Sequence, residues 1–139
     1  MSEAPEQEPN WLTADQVHEI HDHALAERGG IEGVKDRGAL ESAVARPQQF
    51  YHYEGERDIC ALAALYAEGI INNHAFNDGN KRTGYLAGDV FLSQNGRDLQ
   101  PARDVQERAS LFVKVAEKQV SRDELGQFYR DSSIERERS

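Results

Sequence analysis

Cysteine occurs once in the chain, at Cys60, so no internal disulfide framework can form, and the chain suits a reducing, cytoplasmic compartment. Long apolar runs are missing too, and no stretch is long enough to cross a bilayer. The acidic opening, residues 1–10, lacks the apolar segment of a signal peptide and is expected to be part of a disordered leader over 1–11. Positive charge is scarce: 16 Lys and Arg face 25 Asp and Glu, for a net charge of −9. That balance excludes general affinity for nucleic acid or an anionic membrane surface. Several catalytic signatures are absent as well. Gly33 and Gly38 bracket four residues, but no Lys-Ser/Thr follows, so there is no P-loop. No Gly-x-Gly-x-x-Gly and no Gly-x-Ser-x-Gly occurs. His18-Glu19 is followed by Asp22 where a zinc-protease helix needs its second histidine. His18, His21 and His23 crowd one helix without a cysteine partner, a pattern that reads as solvated rather than metal-binding.

What the chain does contain is a helical pattern. Its 139 residues, 38% hydrophobic and 29% charged, suit one soluble domain with a sizeable core. Thr13-Ala-Asp-Gln16 is a capping box ahead of an inward stripe at Val17, Ile20, Ala24 and Leu25, and Gly29-Gly30 ends that helix. Residues 31–38 are too glycine-rich for a helix and predict a loop or short hairpin. A short helix over 39–46 is expected to stop at Pro47. Apolar residues at 59, 62, 63, 66 and 70 predict a helix buried on several sides, in which Cys60 is a small core residue. Leu86, Ala87, Val90 and Phe91 mark another helix, ended by Asn95-Gly96. Residues 97–102 read as irregular, 104–118 as helix, and Ser121-Arg-Asp-Glu124 as a second capping box, with Val120 and Leu125 as a staple. The charged residues 132–139 are expected to be disordered.

Between the two core helices lies His-Ala-Phe-Asn-Asp-Gly-Asn-Lys-Arg-Thr-Gly, residues 74–84. It ends at a helix N-terminus, where free backbone N–H groups and the helix dipole attract anions. Gly79 permits a tight corner, and Asn80 can either cap the turn or donate to a phosphate oxygen. Lys81 adds a point charge and Arg82 a bidentate fork at the same place. A carboxylate at Asp78 would repel phosphate unless it held Mg2+, which takes one or two carboxylates plus phosphate oxygens. His74 is suited to accept a proton from an attacking hydroxyl. Phe76 is expected to point inward and pin the loop.

In its order of residues the run resembles the signature of the Fic/Doc family, His-x-Phe-x-[Asp/Glu]-[Gly/Ala]-Asn-x-Arg, and within it the Doc (death-on-curing) branch, where Lys follows Asn. Gly33 to Pro47 is similar to the flap segment that precedes the core helices in Doc-type proteins, so the resemblance spans roughly residues 12–130. It implies an all-α Fic/Doc bundle over 12–131 with a short β-hairpin flap, in which Val34, Lys35, Asp36 and Arg37 position the target. It further implies His74 as catalytic base, Asp78 as Mg2+ ligand, and Gly79, Asn80, Lys81 and Arg82 as the ATP site. Enzymes of the family that transfer AMP carry Gly where this chain has Lys81 and a second Arg where it has Tyr85. Doc-type members share both departures, and the implied reaction is a reversed ATP giving its γ-phosphate to a Ser or Thr hydroxyl. The implied target is elongation factor Tu, with translation inhibited, and the implied regulator is a Phd-like antitoxin. AMP transfer, or a non-catalytic antitoxin-binding module of the same fold, are the alternatives. Family members that restrain themselves carry [Ser/Thr]-x-x-x-Glu-[Gly/Asn]. The nearest match, Ser133 to Arg138, has Arg in the last position and is read as chance.

Overall fold

A computed structural model describes residues 7–100 and 105–136. Residues 1–6 of the expected leader and 137–139 of the expected tail lie outside the described residues. The described chain is mainly helical: α1 (Ala14–Arg28), α2 (Arg37–Glu54), α3 (Ile59–Asn73), α4 (Asn80–Gln94), α5 (Val105–Ala116) and α6 (Arg122–Asp131), with strands β1 (Arg97–Leu99) and β2 (Ser133–Glu135). Helix α3 is the axis. Ten of its residues, Cys60 and Ala63 to Ala67 among them, are buried, because α2, α4, α5 and α6 all pack around it. Both predicted capping boxes form: Thr13 with Gln16, and Ser121 with Glu124.

Helix α2 corrects one expectation. It runs through Pro47 and ends only at Gly55, whose left-handed φ of 72° closes it. Proline removes one N–H and crowds the carbonyl four residues back. Burial outweighs that cost here, since Leu40, Ala43, Val44, Pro47 and Tyr51 form one inward stripe. Gly69 of α3 faces Ala43 of α2, where a Cβ would make ordinary contact at 3.5 Å with the Ala43 carbonyl oxygen, the acceptor that Pro47 leaves unused. The extra turns bring Tyr51 edge-on to Trp11, 5.4 Å between centroids.

Residues 10–11 and 133–135 are also held more firmly than expected. Trp11 stacks on Phe91, and Asn10 donates its backbone N–H to the Asn95 side chain at 2.7 Å. At the other end β2 pairs antiparallel with β1, with Arg97 opposite Glu135 and Leu99 opposite Ser133. Residues 97–99 are therefore a strand, and 133–135 are not disordered. The reason is a side chain: Arg97 donates to Ser133 Oγ at 2.8 Å and to the Ser133 carbonyl at 2.9 Å, which fastens the pair. Ser133 is buried and passes its own hydroxyl to the Tyr129 carbonyl. This is the small sheet of the fold, and it lies away from residues 31–38. That segment contributes one antiparallel bridge, Val34 to Phe76.

Candidate active site

The run between α3 and α4 is a tight loop wedged against α1 and the segment before α2. His74 ends α3 in the left-handed region, φ 49° and ψ 48°, a conformation uncommon outside glycine but better tolerated by Asn, Asp and His. This reversal turns its side chain out to solvent, while Ala75 and Phe76 turn inward to 0% and 1% exposure. Two flap amides, of Lys35 and Asp36, donate to the Ala75 carbonyl at 2.8 and 3.1 Å. The flap and the loop are thus held edge to edge.

Asn80 closes the loop from the other side. Its amide donates to the Phe76 carbonyl at 3.0 Å, and its side-chain oxygen accepts from the Phe76 N–H at 3.1 Å. In this arrangement Asn80 locks the turn by clasping Phe76. Gly79 is left as the N-terminal cap residue of α4, in the left-handed region at φ 75° and without a side-chain cap. The first-turn amides of α4 therefore lack a side-chain acceptor at the cap, the arrangement that favours an anion.

The charged groups surround this helix end. The Asp78 carboxylate is exposed, with Oδ1 accepting from the Gly79 N–H at 2.9 Å and Oδ2 from the Ile31 N–H at 3.4 Å. Lys81 is exposed and makes no ion pair among the described residues. Arg82 is half-buried, and its Nη2 lies 2.5 Å from Glu27 near the end of α1. His74, Asp78, Gly79, Asn80, Lys81 and Arg82 thus come together within one loop and one helical turn. The four flap positions divide. Val34 and Lys35 run along the loop, whereas Asp36 caps α2 through the Ala39 N–H at 3.0 Å. Arg37 opens α2 and pairs with Asp15 and Glu41.

Three buried side-chain polar atoms have no hydrogen-bond partner among the described residues: His21 Nδ1, Arg82 Nε and Thr83 Oγ1. An orphaned guanidinium N–H at an uncapped helix end is an unmet demand for an acceptor. Phosphate oxygens satisfy that demand. No group of three or more His, Cys, Asp or Glu among the described residues could hold a metal alone. Mg2+ suits such a place, because it accepts one hard carboxylate and completes its shell with phosphates and water.

Three neighbours of the loop were not evident beforehand. His21, expected to be solvated, is wholly buried beneath it. Its place in the stripe of Val17, Ala24 and Leu25, four residues from the first and last, is the signal that marks it as inward-facing. Glu27 reaches Arg82 across 55 residues, and nothing local announces that. Gly30 does more than end α1: at φ +135° it lies so close to the loop that a Cβ would meet Asp78 Oδ2 at 2.8 Å. Tyr85, standing where AMP-transferring relatives have arginine, packs on Phe112 at 5.0 Å and contacts Arg108, so no cation comes from that position.

The family model described as "Fic/DOC family" matches residues 11–92, the span from Trp11 to the end of the α4 core. The chain is 31% identical to "Protein kinase doc" of Escherichia phage P1 over 110 residues, covering 79% of this chain and 85% of that one. It is 37% identical to "Toxin Doc" of Mycolicibacterium smegmatis over 98 residues, 70% of this chain and 75% of that one. With the signature, the helical bundle and these relatives in agreement, the chain belongs to the Fic/DOC family.

Proposed function

We propose that the protein is a Doc-like toxin, a cytoplasmic enzyme that uses Mg-ATP to phosphorylate a Ser or Thr hydroxyl of elongation factor Tu and so inhibits translation. The observation that carries this reading is the orphaned Arg82 Nε at the uncapped N-terminus of α4, with Lys81 and Asp78 beside it. The relatives named as a protein kinase and as a toxin support it.

His74, exposed at the mouth of the loop, takes the proton of the attacking hydroxyl. The hydroxyl oxygen bonds to the γ-phosphorus as the bond to the β,γ-bridging oxygen breaks, and ADP departs. Gly79, with no Cβ, lets phosphate oxygens approach the first-turn amides of α4, Lys81 and Arg82 stabilise charge on the transferring group, and Asn80 keeps the turn rigid. Mg2+ on Asp78 would neutralise phosphate charge. Val34 and Lys35 hold the target segment beside His74. A Phd-like antitoxin acting as a separate chain restrains the enzyme.

Incubation of the purified protein with elongation factor Tu, ATP and Mg2+, followed by intact mass, tests this. A phosphate-sized gain on the factor is expected. An AMP-sized gain assigns adenylyl transfer instead, and an unchanged mass removes this target.

A further inference from the structure

We infer that His21 is a positioning residue that orients the Asp78 carboxylate through the peptide bond between Asp78 and Gly79. The inference rests on the reading of Asp78 as the Mg2+ ligand. His21 belongs to α1, yet one ring touches three parts of the loop. Its Nε2 lies 2.8 Å from the Asp78 carbonyl oxygen. Its plane stacks on Phe76 with centroids 3.9 Å apart and 6° between planes. Its edge is 3.7 Å from where a Cβ on Gly79 would stand.

A carbonyl only accepts, so the proton of this hydrogen bond must sit on Nε2. The other ring nitrogen, Nδ1, is buried without a hydrogen-bond partner among the described residues, with Asp22 Oδ1 4.0 Å away. An imidazole at 0% exposure is costly unless it is hydrogen-bonded, and this one spends its Nε2 donor on the loop. The consequence passes through a rigid unit. The peptide group is planar, so holding the Asp78 carbonyl also fixes the direction of the Gly79 N–H. That N–H in turn donates to Asp78 Oδ1 at 2.9 Å. The relay therefore runs from the imidazole N–H to the carbonyl, across the peptide plane, and back to the carboxylate that faces the phosphates. Outer partners of metal ligands work in this way, and their loss typically costs 10–100-fold in affinity or activity.

Two variants of the full chain separate this role from packing. His21→Leu fills the space without a donor, and His21→Gln returns an N–H at nearly the reach of Nε2. Amide exchange over residues 75–81 gives one readout, and the Mg2+ concentration for half-maximal phosphate transfer gives the other. In His21→Leu, Gly79 should exchange at least about tenfold faster while α3 stays protected, and the Mg2+ requirement should rise about 10–100-fold. His21→Gln should recover both to within about threefold. Unchanged Gly79 exchange in His21→Leu, or a His21→Gln as impaired as His21→Leu, overturns the inference. Should His21→Leu loosen the whole core, recovery by His21→Gln decides the matter in the same way. If the unmutated protein transfers no phosphate, the functional reading fails by itself and the exchange data alone judge His21.

Discussion

Arg82 Nη2 and Glu27 Oε2 stand 2.5 Å apart, joining the N-terminal turn of α4 to the end of α1. A nucleotide phosphate can therefore meet the unpartnered Nε at once, but must displace a carboxylate to gain Nη2 as well. Glu27 is 69% exposed, and an exposed pair of this kind is worth about 0–1 kcal/mol. A phosphate offering bidentate, charge-assisted bonds outcompetes it readily. Glu27→Gln should therefore tighten ATP binding by no more than about fivefold, as 1 kcal/mol allows. Titration calorimetry reads this directly, and weaker binding by the variant would show that Glu27 orients Arg82 instead of competing for it.

His74 carries the proton in the proposed reaction. Alanine is a poor probe here, since the left-handed backbone at φ 49° adds a conformational cost of about 1–2 kcal/mol for ordinary residues. Asparagine tolerates that conformation and has no basic nitrogen. His74→Asn should lose about 10²–10⁴-fold in transfer rate with ATP affinity nearly unchanged. Full activity in this variant would remove His74 from the mechanism.

The role of Lys81 separates phosphate transfer from AMP transfer. It is exposed and unpaired among the described residues, on the first turn of α4 and next to Asn80. Lys81→Gly should cut kcat more than ATP affinity, but glycine also weakens a helix by about 1 kcal/mol. Lys81→Gln keeps helix propensity and removes only the charge. If both variants fall by about tenfold or more in kcat, the charge acts on the transferring group. An unaffected Lys81→Gln would make Lys81 an ordinary surface residue.

Elements whose information is local were legible before the structure. Thr13 and Ser121 announce their helices because a capping box is complete within four residues. The motif was legible for the same reason, since residues 74–84 form a single continuous loop and helix start. What escaped depends on distant contacts. Helix α2 passes Pro47 because Leu40, Ala43, Val44, Pro47 and Tyr51 are buried as one stripe, a fact of packing between helices. Strand β2 exists because Arg97 reaches Ser133 across 36 residues. Asn80 was ambiguous because capping the turn and donating to a phosphate oxygen draw on the same side-chain amide. His21 was misread because its polarity was weighed above its place on the inward stripe of α1.

Asp89 gives the fold a pH dependence. It lies on the buried face of α4 near Tyr129, at 8% exposure, without a hydrogen-bond or ion-pair partner among the described residues. Burial raises its carboxyl from 3.8 to about 7. The folded state then binds an extra proton between those values, so this group's contribution falls as pH rises from about 4 to 7 and stays low above. The loss amounts to at most about 4 kcal/mol. Asp89→Asn should flatten the stability profile, gaining on the unmutated protein at pH 8 relative to pH 5. Parallel profiles in urea melts would show that Asp89 titrates in its ordinary range.

The C-terminal residues bear on regulation. Ser133 begins the nearest match to the inhibitory pattern of self-restrained relatives, yet its side chain is buried between Arg97 and Tyr129 as part of β2. Its position is explained by packing, and the glutamate of the pattern, Glu137, lies outside the described residues. Ending the chain at Asp131 removes β2 and leaves the Arg97 guanidinium without the Ser133 oxygens it now bonds. Losing hydrogen bonds to a charged group should cost about 2 kcal/mol, seen as a fall of roughly 5–10 °C in Tm. Growth arrest by the shortened chain, expressed without any partner, should be equal to or weaker than that of the full chain. If only the shortened chain arrests growth and the full chain does not, the tail is an inhibitor, and the need for a separate antitoxin falls with that result.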